Sequence, residues 1–470
     1  MALSLAAAFL ALSAAQAAPM GGTAGGGAPA EGQKTGGTAP AGAPQNAPAG
    51  DELAPPPSMA LRIPGTRKTQ AETTAGIDLG VLAEVLTQTL QVTGGGSQVE
   101  TGMQVAPTVA VGLTIPSFGF AVGYSPQLYL VTFSDGPLDT LHRAWVFAEY
   151  RPAPTWHLYF AERLSYGTEN LSTPITTPVQ GAAGQQPPTL NPVAVTSLLY
   201  LNNEVSAGIA ARLSRRLRFT AAVSYLTSGG LSTAAQEVMP YQYGPLVELT
   251  LDWAASATSH LITSLTGQGS IFPVLYTATS TSSTPVAQTG PEIFLATLTE
   301  TWRARLSRFT SAWIILGASL ANTSSLTYTA YGDLAPVAGL GIESGTRSRQ
   351  ALTAFVQFLL APYVDPYLAV EYQRLTLNAS LSWHPSTQWT LGLAGTAAWV
   401  PYNVQTTVTA TADKYGTVGP LLSFAPTKAL TFTAGAYWQY QFANEAQNIA
   451  PSFNQWGAYF SVNFTDFEHF

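Results

Sequence analysis

The sequence predicts an all-β protein, a transmembrane antiparallel up-and-down β-barrel of about 16–18 strands that follows a disordered N-terminal segment. Three observations predict this fold. Segments of about 12 to 17 residues alternate apolar and polar side chains, whereas strands of soluble proteins have about five or six residues. Tight turns and longer, nearly uncharged connections follow these segments in alternation. Charged residues make up only 10% of the chain, against about 25% in ordinary soluble proteins.

The composition excludes several classes of site. The chain has no cysteine, which excludes disulfides, thiolate metal sites, cysteine nucleophiles and an acylated lipoprotein cysteine. The formal net charge of −7 argues against a general nucleic-acid-binding protein. Beyond the N-terminal residues, no apolar run reaches the roughly 18 residues that a membrane-spanning helix needs. A membrane protein without such helices has to be a closed barrel, because lipid offers no partner to an unpaired strand edge.

Three segments precede the main part of the predicted barrel. Residues 1–17 are expected to be a cleaved secretory signal, because a short apolar run leads to the small residues Ala15-Gln16-Ala17. Residues 18–73 consist mainly of Gly, Ala, Pro and Thr, which predicts a disordered periplasmic linker. The leucines and valines of 74–98 fit either a first strand or a plug helix, and a strand is favoured because it makes the strand count even. Residues 99–470 are assigned to the barrel.

The alternating pattern recurs along the whole of this last part. It is clearest in 217–225, 294–306, 375–381 and 430–442. Tight turns are predicted at 151–155, 214–216, 256–258, 307–308, 345–349, 384–387 and 425–427. Longer connections are predicted at 168–195, 228–240, 273–290, 321–333, 401–414 and 443–453. Short connections on one side and long ones on the other are typical of membrane barrels, with the short turns in the periplasm.

The last stretch, Gln455–Phe470, alternates aromatic or apolar residues with small or polar ones and ends on an aromatic residue. It resembles the C-terminal signal of Gram-negative outer-membrane β-barrel proteins of porin-like type. The resemblance implies that Phe460, Val462, Phe464 and Phe470 are read by the barrel-assembly machinery. It also implies that the protein lies in the cell outer membrane, in contact with outer-membrane lipid.

Arginines gather in and beside the predicted tight turns. Five are expected to face the lumen at its periplasmic mouth: Arg212, Arg216, Arg218, Arg303 and Arg305. Two interpretations remain open, since such arginines either anchor the barrel to phosphate headgroups or attract anions toward the lumen. A second charge cluster is expected inside the lumen, because charges that face lipid are unfavourable. Its members are Arg143, Glu149, Arg163, Glu204 and Arg374. Glu162 and Glu300 fall on apolar faces, which indicates a bulge or a wrong register.

The search for catalytic residues finds no candidate, so the protein is predicted not to be an enzyme and to need no cofactor or metal. A barrel of this size leaves an aqueous lumen, which predicts a channel for small polar or anionic solutes. Barrels through which some Gram-negative bacteria export polysaccharide share this architecture. That resemblance implies an exit for a secreted polysaccharide, with periplasmic export partners; no nucleic-acid partner is expected, given the net charge. The alternative is a non-conducting scaffold or adhesion barrel in the outer membrane.

Overall fold

The computed structural model describes most of the chain beyond the predicted linker. The described residues are 74–92, 97–131, 139–170, 197–277, 286–324, 334–345, 351–365, 369–399, 412–427, 429–443 and 453–469. The predicted signal peptide and linker, and the terminal Phe470, lie outside them. Nearly all of the described residues are in strands, as the alternating pattern predicts.

Within the described ranges, the strands follow one another with one short helix between them. They are β1 Thr74–Val92, β2 Ser97–Ile115, β3 Phe118–Val131, β4 Asp139–Ala153, β5 Trp156–Asn170, β6 Ser197–Arg212, β7 Leu217–Gly230, β8 Gln242–Ala254, β9 Ser259–Ile271, β10 Val274–Thr277, β11 Val286–Thr289, β12 Glu292–Arg305, β13 Thr310–Thr323, β14 Leu334–Gly345, β15 Ala351–Asp365, β16 Val370–His384, β17 Trp389–Trp399, β18 Ala412–Phe424, β19 Leu430–Ala443 and β20 Phe453–His469. The helix, α1, is Thr233–Val238, and Ser232 caps it by accepting the Ala235 N–H. No helix in the described part of the chain has the length and apolar character needed to cross a membrane.

Eighteen of these strands form one closed sheet. From β1 to β9 and from β12 to β20, each strand pairs antiparallel with the next. β9 pairs directly with β12, and β20 returns to pair with β1. β10 and β11 form a separate hairpin within the β9–β12 connection. The predicted closed antiparallel barrel is confirmed.

The N-terminal segment that fitted two structures belongs to the wall. Residues 74–92 are β1, which pairs with β2 on one side and with β20 on the other. The closing pair runs from Gly76↔His469 to Val92↔Phe453 without a register shift. Of the two interpretations of this segment, the structure therefore shows the strand and not the plug helix.

The apolar side chains lie on the outside of the barrel. Leu298 and Leu316 are 53% and 62% exposed, whereas the threonines that alternate with Leu298 face inward. Exposed tryptophans lie near one rim: Trp156, Trp253, Trp302, Trp383 and Trp389. Tyr166, Trp399 and Trp456 lie near the opposite rim and are also exposed. An apolar band between two aromatic girdles is the outer surface of a membrane-spanning barrel.

Glu162 and Glu300 lie on this apolar outer surface. Glu162 pairs in register with Val146 and Val205, and Glu300 pairs with Thr263 and Leu316, with no register shift near either residue. The bulge or wrong register that the sequence pattern indicated is therefore absent at both positions. The Thr263 hydroxyl donates to the Glu300 carboxylate at 2.8 Å, which satisfies one of its oxygens.

Candidate functional site: the barrel lumen

The two ends of the barrel differ in their connections. Short turns such as 116–117, 154–155, 213–216 and 255–258 lie at one end, where β1 begins and β20 ends. The longer connections, including 231–241 and 272–291, lie at the other end. Because short turns of outer-membrane barrels face the periplasm, the first is called the periplasmic end and the second the outer end.

Arg303 faces the lumen at the periplasmic end but is enclosed by its neighbours. It is 3% exposed and forms an ion pair with Glu343 of β14. Its guanidinium also lies 5.8 Å from the centre of the Trp313 ring on β13, at a distance typical of cation–π contacts. Because this charge is buried and paired with a carboxylate, it attracts solutes in the lumen only weakly. Arg303 instead links neighbouring strands of the wall.

The other arginines of the predicted basic mouth are more open. Arg212 and Arg218 are register partners across the β6–β7 hairpin, and both face the lumen. Arg305 is exposed at the end of β12, beside His260 and Arg303. Arg216 lies in the β6–β7 turn, where it is exposed at the rim and not on the lumenal wall. The structure thus brings Arg212, Arg218 and Arg305 to the lumenal side of the periplasmic end.

Two histidine–carboxylate pairs lie on the same inner surface. His157 Nε2 is 2.9 Å from Glu149, whose carboxylate also accepts a hydrogen bond from Arg151 at 3.4 Å. His260 Nδ1 is 2.8 Å from Asp252. In both pairs the residues are eight positions apart across a tight turn. These contacts join β4 to β5 and β8 to β9 near the periplasmic rim.

The predicted lumenal charge cluster is divided between separate places. Arg163 on β5 and Glu204 on β6 form an ion pair at 3.4 Å. Glu149 lies at the periplasmic end with His157, and Arg143 is a register partner of Ser165 nearer the outer end. Arg374 stacks over the Tyr363 ring, 3.6 Å from its centre. The structure therefore pairs Arg163 with Glu204 and places Glu149 and Arg374 elsewhere.

Part of the lumenal wall is uncharged and rich in hydroxyl, amide and aromatic groups. The described inward side chains of β19 and β20 are Thr431, Thr433, Gly435, Tyr437, Gln439, Gln455, Gly457, Tyr459, Ser461, Asn463 and Thr465. Tyr437 lies across Gly457 and Tyr459 lies across Gly435, in space that a larger side chain would fill. Next to them, Gln104 donates to Glu84 at 3.2 Å and accepts from Gln127.

The sequence matches a known protein family. The model of a family described as the EpsX exopolysaccharide export family matches residues 85–408, well over half of the chain. The chain belongs to the EpsX exopolysaccharide export family. A comparison with the curated proteins found no match. Among solved structures, the chain is similar to OprD from Pseudomonas aeruginosa, with 12% identity over 85% of this chain and 98% of that chain and a TM-score of 0.43. It is also similar to OccAB2 from Acinetobacter baumannii, with 10% identity over 83% of this chain and 98% of that chain and a TM-score of 0.44.

The apolar band of this EpsX-family barrel places it in the outer membrane, since a closed barrel with such a surface needs lipid around it. Phe460 and Phe464 are exposed on that band, and Val462 lies on the same face of β20. Their role in recognition by the assembly machinery remains a prediction. Among the described residues, no group of three or more His, Asp or Glu is placed to hold a metal ion.

Sequence reasoning missed several lumenal contacts of the EpsX-family barrel. The two histidine–carboxylate pairs had a usable signal, because the two residues of each pair lie on polar positions that flank a predicted tight turn. The Arg303–Glu343 pair had none, since β12 and β14 are separated by a whole strand. The tyrosine–glycine contacts of β19 and β20 also depend on the register across a long connection, which the sequence does not reveal.

Proposed function

We propose that this barrel is the outer-membrane exit through which an exopolysaccharide leaves the cell. One observation carries the proposal: a barrel of an exopolysaccharide export family encloses a lumenal wall of hydroxyl, amide and tyrosine groups. Hydroxyls and amides exchange hydrogen bonds with sugar hydroxyls, and aromatic rings offer apolar surface with a polar edge. Such a wall replaces the hydration of a sugar chain without holding any one unit tightly.

The export proposal predicts a specific loss in cells. A strain that lacks the chain is expected to lose its surface exopolysaccharide, because lipid is a barrier to a hydrated polymer. Sugar analysis of washed cell surfaces measures the effect, and expression of the intact chain restores the polymer. Normal surface polymer in the deletion strain would contradict export. If a sealed, non-conducting variant also restores the surface polymer, the scaffold or adhesion alternative is favoured.

The open arginines at the periplasmic end support passage of polymers or small solutes that carry acidic groups. Arg212, Arg218 and Arg305 face the lumen there, and positive side chains at a pore mouth attract anions. Replacing these three by serine is expected to shift the reversal potential in a salt gradient toward cation selectivity. Arg303→Gln is a poor choice for this test because it also breaks an ion pair. An unchanged reversal potential in the triple variant would assign these arginines to headgroup anchoring.

The periplasmic turns support a partner with an acidic surface. The described turns 213–216, 255–258 and 306–309 contain Arg215, Arg216 and Arg308 and no acidic residue. We therefore infer that a periplasmic export protein docks at this end through complementary charge. Changing the three arginines to glutamate is expected to reduce surface polymer several-fold while the amount of assembled barrel stays normal. Equal polymer in the variant and the parent strain would count against such docking.

A further inference from the structure

The β15–β16 hairpin separates from the barrel wall at the outer end, where β14 stays paired with β13 as far as Leu320↔Leu334. β14 pairs with β15 only as far as Ala338↔Leu360, and β17 pairs with β16 only from Leu375↔Trp399. β15 and β16 nevertheless remain paired with each other as far as Asp365↔Val370. Residues 361–365 and 369–374 therefore form a two-stranded projection, called the β15–β16 extension, whose two strands pair only with each other in the described sheet.

The β15–β16 extension is covered by protein on both faces. Tyr363 and Val364 are each 4% exposed, although consecutive residues of a strand point to opposite faces. Ala369 is fully buried, and Gln373 donates a hydrogen bond to the Pro336 carbonyl at 3.0 Å. A two-stranded hairpin is marginally stable on its own in water. Packing against the rest of the outer end is what holds the extension in place.

The packing partners show that the extension bends over the lumen. One buried cluster contains Phe272, Ile293, Leu295, Ala321, Val364 and Ala369. Ile293 and Leu295 alternate with the exposed Phe294 and so face inward. β12, which carries them, is separated from β15 by two strands of the wall. Val364 joins these inward residues only if the extension leans across the mouth.

Arg374 lies on the lumenal face of the β15–β16 extension. It is on the same face of β16 as Asn378, which receives a hydrogen bond from Thr396 inside the barrel. Tyr363 supports one face of the guanidinium at 3.6 Å, which fixes its plane. A guanidinium held in this way presents its N–H groups along its edges, where carboxylate, sulfate or phosphate oxygens bind as a fork.

We propose that the β15–β16 extension is a constriction across the outer mouth and that Arg374 is its selectivity residue, which contacts acidic groups on a departing polymer. The inference rests on the proposed export function and concerns its last step. The basic periplasmic end and Arg374 then stand at the two ends of the passage, with the hydroxyl, amide and tyrosine wall between them.

The constriction is tested by shortening the hairpin without opening the wall. Leu360 and Leu375 are register partners, so an Asn-Gly turn can join them in place of 361–374. In planar bilayers the shortened barrel is expected to conduct at least about twofold more than the intact mature chain, because pore radius governs conductance. The control removes an equal number of residues from the long β5–β6 connection. A silent parent that conducts after the shortening also supports the proposal, whereas equal conductance of parent and shortened barrel overturns it.

Arg374 is tested with the extension intact. A polyuronate oligomer added on the outer side is expected to block the parent current at lower concentration than a neutral dextran oligomer of equal length. Arg374→Gln should remove most of this difference, and Arg374→Lys should retain part of it because charge remains without the fork. Lys414→Gln, which changes an exposed cation on β18 near the outer end, is the matched control. An unchanged difference in Arg374→Gln overturns the selectivity role.

These outcomes remain separate from the fate of the export proposal. The deletion strain decides export through surface polymer, whereas conductance and block decide the constriction with purified protein. Suppose that the deletion strain keeps normal surface polymer and the shortened barrel gains conductance. The constriction proposal then stands and the export proposal is rejected. If the deletion strain loses its surface polymer and the shortened barrel conducts as the parent does, export is supported and the constriction is rejected.

Discussion

Deletion of β1, residues 74–92, is expected to abolish assembly of the barrel. β1 closes the sheet between β2 and β20, so its removal leaves two long strand edges without partners. Each unsatisfied backbone group in lipid costs several kcal/mol. Absence of the heat-modifiable band in gel electrophoresis and of the protein in outer-membrane fractions would measure the loss.

The matched control removes nineteen residues, the length of β1, from the predicted linker at 30–48. Normal assembly is expected there, because the composition of the linker offers little apolar surface to bury. An assembled barrel with raised conductance after deletion of β1 would contradict closure by this strand, because that result is expected when a plug is removed from the lumen. Failure of both deletions would show that the N-terminal region acts before folding.

The sequence predicts the wall of this protein well, because alternation and turn length are local signals. Outward residues such as Leu298 and Phe460 are identified by period alone, since one face of every strand meets lipid. The same period predicts the outward position of Glu162 and Glu300. Because a charged residue is unusual on an apolar face, these positions suggested a fault in the register. The alternation was reliable at both positions, and the inference of a bulge or wrong register from a carboxylate on an apolar face was wrong.

The lumen is less predictable, because its contacts join residues that are distant in the chain. Arg303 carried the same sequence signal as Arg305, and only the fold pairs it with Glu343. Arg163 and Glu204 are 41 residues apart across a long connection whose length hides the register. The β15–β16 extension has no local signal either, because β15 leaves β14 at Leu360 while β14 stays paired with β13. Where a wall ends is a property of several strands together.

Loss of the Arg303–Glu343 ion pair is expected to have the second largest effect. Arg303→Met leaves the Glu343 carboxylate facing a buried site without its cation. Removing one partner of a buried pair destabilises a protein by about 3–5 kcal/mol, because the remaining charge is not compensated. The midpoint of urea unfolding, followed by tryptophan fluorescence in detergent or lipid, is expected to fall accordingly.

The double variant Arg303→Met with Glu343→Leu separates the pair from the space that it fills. Replacing both charges by apolar groups of similar volume is often neutral or stabilising, so most of the stability should return. Arg305→Met, which changes an exposed arginine on the same strand, should change stability by less than about 1 kcal/mol. Equal destabilisation in Arg303→Met and the double variant would mean that the arginine acts through its packing on Trp313 and not through its charge. Near-normal stability of Arg303→Met would show instead that water reaches Glu343, and Arg303 would then belong with the open arginines of the periplasmic end.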